Sequence, residues 1–244
     1  MSELSIIIPC YNEEKNLINL INKIKIIKNE NPELKLEFIL VNDGSTDQTS
    51  TILKDLNQDE IYKVVDLKQN MGYGGSIQEG LKSSNSHLLS WTHSDLQCDL
   101  NDVIKLYKLH KEEFLYKKII VKGKRIKRNI FDSFFSNSMA ILASIIFQKK
   151  FYEINAQPKI FSRELFKEFE NAPKDFSLDL YLLYISKKKL YKIIEHPVVY
   201  KKRVAGLSKG GDSFLGKIKL TLRTLKYIIN LRLKTNENYN SQSK

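Results

Sequence analysis

Cysteine is nearly absent from this 244-residue sequence, which has only Cys10 and Cys98. Two thiols give no disulfide framework, and neither stands at zinc-finger spacing from a histidine. A reducing cytosol is therefore the expected compartment. Long apolar runs are missing as well: no stretch approaches the roughly 20 residues that a bilayer-spanning helix needs. Residues 6–9 form a short apolar run that ends in a proline, so nothing near the N-terminus reads as a signal peptide. Acidic side chains thin out in the second half, and none occurs between Asp212 and Glu237. Nucleic-acid recognition motifs are lacking and the aromatics are scattered, which sets aside a nucleic-acid-binding module.

What is present points to a folded, basic α/β protein. A hydrophobic content of 42% suits a packed core, and 244 residues can fill one α/β domain or a domain with an appendage. Lys and Arg number 40 against 28 Asp and Glu, a net charge of +12. The expected partner is anionic: nucleotide phosphate, acidic lipid or nucleic acid. Basic runs dominate from Lys117 onward.

Short β-branched runs at 4–9, 36–41, 62–67 and 88–91 read as buried strands, and amphipathic helices separate them. Leu17, Leu20, Ile21, Ile24 and Ile27 recur at helical spacing in the first of these helices. Strand and helix alternating in this way predict a mostly parallel sheet with helices on both faces. Ligands of such sheets gather at the carboxyl ends of the strands. Each expected strand end carries polar or glycine residues: Tyr11 and Glu13, then Asp43, then Gly72, Gly74 and Gly75, then His93 to Asp99. The glycine cluster lacks dinucleotide-fingerprint spacing and reads equally as a helix entry.

The last of these ends holds donors suited to Mg²⁺ or Mn²⁺. In an extended chain, residues two apart share a face, so His93, Asp95 and Gln97 are candidate ligands of one cation. The same stretch reads as a strand followed by a polar turn, with Asp99 capping the next helix.

Four motifs in order, Ile6-Ile-Ile-Pro-Cys-Tyr-Asn-Glu-Glu14, Val41-Asn-Asp-Gly-Ser-Thr-Asp47, Asn70-Met-Gly-Tyr-Gly-Gly75 and Ser94-Asp-Leu-Gln97, resemble those of family 2 glycosyltransferases. Within that family the sequence is most similar to the dolichol-phosphate mannosyltransferase and polyprenyl-phosphate glycosyltransferase branch, over about the first 210 residues. The resemblance implies a GT-A fold, a nucleotide-diphosphate-sugar donor linked to UDP or GDP, a divalent metal and inversion at the anomeric carbon. It places Pro9, Tyr11 and Glu13 around the nucleoside and Asp43 beside the base or ribose, with Gly72 and Ser94 among the donor-binding residues. Asp95 becomes the main ligand of the metal that bridges the phosphates, with Gln97 assisting. The family usually has Asp-x-Asp here, whereas this sequence has His93-Ser-Asp95, a neutral donor in place of a charged one. A nucleotidyltransferase would need a glycine- and basic-rich loop after the first strand, where residues 9–14 stand instead.

Downstream, a helix is expected at 101–114, a strand at 117–121, a basic loop at 122–128, an apolar helix at 133–147 and a last strand at 193–200. The resemblance gives Arg125 and Arg128 phosphate contacts. Asn155 and Gln157 carry amides suited to sugar hydroxyls, or cap a turn before Pro158. Asp179 falls near the position of the family's catalytic base, and it equally suits a helix start. Arg203 and Lys209, in the basic loop 201–211, match phosphate-contacting residues of the family. Residues 214–233 form a basic amphipathic pattern that reads either as membrane-surface binding or as a helix packed on the sheet. The expected organisation is a GT-A domain at 1–211, a basic amphipathic helix at 212–235 and a disordered tail at 236–244. Its expected acceptor is a polyprenyl phosphate or a glycan hydroxyl, and its expected location the inner face of the cytoplasmic membrane, held peripherally.

Overall fold

A computed structural model describes residues 2–56, 61–126, 130–201 and 214–242. It divides into two compact units, Met1–Lys127 with Ala156–Gly206, and Arg128–Asn155 with Leu207–Lys244. This differs from the single domain expected through 211. Segments far apart in sequence form the second unit, and no local pattern records such a pairing.

The first unit is built on a seven-stranded sheet. Its strands are β1 (Leu4–Cys10), β2 (Leu36–Asp43), β3 (Lys63–Leu67), β4 (Leu88–Trp91), β5 (Ile119–Ile126), β6 (Lys159–Ser162) and β7 (Lys192–Val199). Their spatial order is β3-β2-β1-β4-β6-β5-β7. Only β6 runs against its neighbours; β1 pairs parallel with β2 and β4, β2 with β3, and β5 with β7.

The helices are α1 (Glu14–Glu30), α2 (Thr49–Asp55), α3 (Tyr73–Ser83), α4 (Leu100–His110), α5 (Glu113–Tyr116), α6 (Ile130–Phe147), α7 (Arg163–Phe166), α8 (Leu178–Lys188) and α9 (Phe214–Gln242). β1 is buried on both faces, as its β-branched run requires. Leu4, Ile6 and Ile8 meet Leu17, Leu20, Ile21 and Ile24 of α1 and Val103 and Leu106 of α4 in one apolar cluster. α3 packs against β1 and β2.

Three local expectations change. The helix expected at 101–114 is two helices, α4 and α5, parted after His110, whose ring bonds Glu113 and His196. The basic loop expected from 122 is strand through Ile126, because β7 pairs along its whole length and Lys122 is buried against Glu195 at 2.9 Å. β6 has no counterpart in the expected elements: it is four residues long and opens with a lysine, too little for a period-two signal.

In the second unit α6 packs on α9, with Ala140, Ala143 and Ile228 buried. Ser144 Oγ accepts the Phe151 N–H at 2.9 Å and closes the turn after α6. α9 runs to Gln242, through most of the stretch expected as a tail, because no glycine or proline follows Gly216 to stop it. No helix among the described residues is long and apolar enough to cross a membrane.

Candidate active site

The chain steps from β1 outward to β2 and β3, then returns to place β4 on the other side of β1. That reversal, at the carboxyl ends of β1 and β4, is the topological switch point at which sheets of this kind bind ligands. Every motif singled out in the first 100 residues lies along this edge.

At the β1 end, Pro9 lies within the strand, paired with Val41, and Tyr11 to Glu13 follow it. Asn12, in the left-handed region at φ 56°, clasps the loop after β2. Its N–H donates to Ser45 Oγ at 3.0 Å, and its Oδ1 accepts the Thr46 N–H at 2.8 Å. The Glu13 N–H donates to Thr49 Oγ1 at 2.8 Å. The first two strand ends are thus one hydrogen-bonded body, and Asn12 escaped the sequence reading because turn asparagines are common.

Asp43, at the end of β2, is buried, and its Oδ1 accepts the Met71 N–H at 2.6 Å. Burial raises its pKa above the usual carboxylate value, opposed by the N–H groups of Met71 and Gly72. The glycine turn it holds is docked, not merely flexible. Gly72 sits at φ 79° with Lys174 O only 2.8 Å from where a Cβ would be. A Cβ on Gly74 would lie 2.5 Å from Pro173 O, and the Gly75 N–H donates to Lys174 O at 3.0 Å.

Beyond β4 the chain does not stay extended. β4 stops at Trp91, and Asp95 Oδ1 accepts the Gln97 N–H at 3.1 Å, a turn with Leu96 at φ 56°. The alternation expected to align His93, Asp95 and Gln97 is therefore not what sets their directions. Gln97 Nε2 reaches Lys201 O at 3.5 Å, and the His93 ring stacks on Tyr73 with centroids 5.6 Å apart. Ser94 and Asp95 are buried. Asp99 caps α4 as expected, accepting the Asn101 N–H at 3.0 Å, and also takes Lys201 Nζ at 2.9 Å.

Among the described residues no group of three or more His, Cys, Asp or Glu side chains forms a metal cage. Asp95 as a single carboxylate, with His93 and Gln97 near it in the chain, fits a cation that completes its shell with diphosphate oxygens and water. It does not fit a resident ion.

Asp179 lies at the start of α8, where it is 1% exposed. Its Oδ1 accepts from Lys159 Nζ at 2.5 Å, Gln157 Nε2 at 2.9 Å and Trp91 Nε1 at 3.1 Å; Oδ2 accepts from the Tyr73 hydroxyl at 3.3 Å. Lys159 is wholly buried, which pushes its pKa down to about 8 against the pull of Asp179. Burial first, then the Asp179 charge, raises Tyr73 well above the usual phenol value, so it stays a donor. Tyr73 also stacks on Phe176 at 4.5 Å. Sequence reasoning missed Tyr73, Trp91 and Lys159. Lys159 gives no local signal, because its counter-charge stands 20 residues away.

Arg125, on β5, lies over the Tyr200 ring at 5.4 Å, and Tyr200 Oη accepts the Gln157 N–H at 2.9 Å. Asn155 is exposed and belongs to the second unit. Arg128, Arg203 and Lys209 lie outside the described residues.

A family model described as glycosyl transferase family 2 matches residues 5–172. A dolichyl-phosphate beta-glucosyltransferase of Homo sapiens is 32% identical over 114 residues, covering 43% of this chain and 35% of that protein. A poly-beta-1,6-N-acetyl-D-glucosamine synthase of Staphylococcus epidermidis is 30% identical over 96 residues, 39% of this chain and 22% of that protein. The matches thus span about a third or less of these relatives' lengths. Glucosyl-3-phosphoglycerate synthase of Mycobacterium tuberculosis, solved with Mn²⁺, UDP-glucose and phosphoglyceric acid, superposes with a TM-score of 0.68 at 16% identity. It covers 95% of this chain and 79% of that one. At that identity the likeness shows the fold alone.

Proposed function

The chain belongs to glycosyl transferase family 2, and from that membership we propose that it transfers a hexose, with inversion, from a UDP- or GDP-linked sugar to a polyprenyl phosphate. The observation that carries the choice of acceptor is the state of Asp179. A hydroxyl acceptor must lose a proton to a base within hydrogen-bond reach. The carboxylate standing where the family's base is expected is buried, with three donors on Oδ1 and Tyr73 on Oδ2. A phosphate acceptor arrives already anionic and needs no base. The similarity to a dolichyl-phosphate enzyme supports this reading. Similarity to the staphylococcal synthase favours a glycan hydroxyl instead.

In this reading Pro9, Tyr11, Glu13 and Asp43 border the nucleoside, with Gly72 and Ser94 nearby. Arg125 and Arg203 meet phosphates, and Gln157 meets the sugar. Asp95, flanked by His93 and Gln97, holds Mn²⁺ or Mg²⁺ together with the diphosphate. When bound, that cation offsets the charge developing on the leaving diphosphate. Exposed Ile141 and Ile145 on α6 and Leu222, Ile229 and Leu233 on α9 support peripheral attachment at the cytoplasmic membrane face.

The test incubates the purified chain in detergent with Mn²⁺, labelled UDP-glucose or GDP-mannose, and either polyprenyl phosphate or an oligosaccharide. Label is expected on the lipid. Label on the oligosaccharide alone overturns the phosphate acceptor; no label on either, with no binding of UDP or GDP, sinks the transferase reading.

A further inference from the structure

Gln157 is fully buried, and its side-chain amide is used on one side only. Nε2 donates to Asp179 Oδ1 at 2.9 Å and to the Tyr73 hydroxyl oxygen at 3.2 Å. Oε1 is buried with no hydrogen-bond partner among the described residues. Amide nitrogen and oxygen have the same shape, so the assignment rests on the network. Here the network decides it: turning the amide over would set Oε1 against the Asp179 carboxylate at the same distance, acceptor against acceptor. Asp179 Oδ1 already accepts from Lys159 Nζ at 2.5 Å and from Trp91 Nε1 at 3.1 Å. The backbone allows no retreat. The Gln157 N–H is held by Tyr200 Oη at 2.9 Å, and its carbonyl oxygen would be 2.2 Å from a Cβ on Gly123.

A buried carbonyl without a donor is costly, and each such group in a folded protein calls for a reason. This one stands next to Asp179 and to Tyr73, whose ring stacks on His93 in the metal motif. Ser177 Oγ, two residues before Asp179, is likewise buried without a partner among the described residues. The fold therefore fixes an acceptor in place at the proposed sugar end of the site and supplies nothing to satisfy it.

We propose that Gln157 Oε1 accepts a hydrogen bond from one hydroxyl of the transferred hexose, so that the enzyme selects sugars presenting a hydroxyl, as donor, at that position. This rests on the transferase reading and adds to it a specificity-determining atom and a required chemistry. The buried arrangement makes the selection sharp. A sugar lacking the hydroxyl leaves Oε1 closed off and unpaired, whereas the right sugar pairs it.

The test uses whichever of UDP-glucose and GDP-mannose binds the wild type with Mn²⁺, together with its deoxy and deoxyfluoro analogues at each sugar carbon and the bare nucleoside diphosphate. Fluorine keeps the polarity of the position but cannot donate. At one carbon both analogues are expected to bind roughly tenfold or more weakly than the parent. Gln157→Met is expected to weaken the parent to match, to erase that discrimination, and to leave the diphosphate's affinity unchanged. Indifference of the wild type to every analogue points to a water on Oε1 and overturns the proposal. So does a fluoro analogue that binds as the parent does at every carbon, or discrimination that survives in Gln157→Met. A wild type that binds neither nucleotide nor nucleotide sugar removes the transferase reading itself, a different failure from any of these.

Discussion

Asp179 and Lys159 are closed off from water together, at 1% and 0% exposure, with 2.5 Å between their charged atoms. Either one alone is a buried charge without compensation, a condition that costs about 3–5 kcal/mol. Asp179→Asn is therefore expected to lower unfolding free energy by about that amount in urea denaturation, and Lys159→Met added to it to restore most of the loss. Additive losses in the double variant would show that the two do not act as a pair. The same coupling bears on enzymology: loss of turnover in Asp179→Asn alone cannot be assigned to a missing base, because the unpaired ammonium disturbs Gln157, Trp91 and Tyr73 at once.

β7 is an edge strand that meets α4 through an imidazole pair. His110 Nε2 and His196 Nε2 are 2.7 Å apart, and His110 Nδ1 bonds Glu113 at 2.8 Å. Desolvation, then His110 and Lys105, hold the His196 pKa below its usual value. The unfolded chain therefore takes up the proton at a higher pH than the folded one. Stability is full above the unfolded pKa near 6.5 and falls as pH drops from there through the folded value. The melting temperature is expected to drop between about pH 7 and 5, and His196→Gln to flatten part of that drop. An unchanged slope in the variant would place the sensitivity elsewhere. β7 leads into Tyr200 and Lys201, which bond Gln157 and Asp99, so loosening this strand also reaches the site.

At the scale of the molecule, the charge of +12 is concentrated late in the chain, and residues 213–236 contain no acid. In the second unit, α6 and α9 bury small and apolar residues against each other and, among the described residues, still expose the large aliphatic side chains Ile141, Ile145, Leu222, Ile229 and Leu233. A surface of this composition is expected to bind vesicles containing anionic lipid and not neutral ones in co-sedimentation. Raising salt from about 0.1 M to about 1 M, which shortens the Debye length from about 10 Å to about 3 Å, is expected to weaken the attachment. Equal binding to neutral vesicles would assign the attachment to the apolar residues alone.

The amino-acid sequence by itself determined the sheet's parallel half, because buried parallel strands and amphipathic helices leave unmistakable local periodicities in 4–41 and 88–110. It also determined which strand ends carry the polar residues, and that Asp99 caps α4. Only the tertiary structure decided what those residues touch. Lys122 reads as part of a basic loop, and Lys159 carries no signal of its own, until Glu195 and Asp179, remote in the chain, are brought beside them. The glycine turn reads as flexible until residues 173–175 close on it. Gln157 reads as an amide suited to a sugar hydroxyl or to a turn cap until Asp179 fixes which way it faces. Burial and counter-charge are long-range properties, and a window along one chain does not contain the partner that sets them.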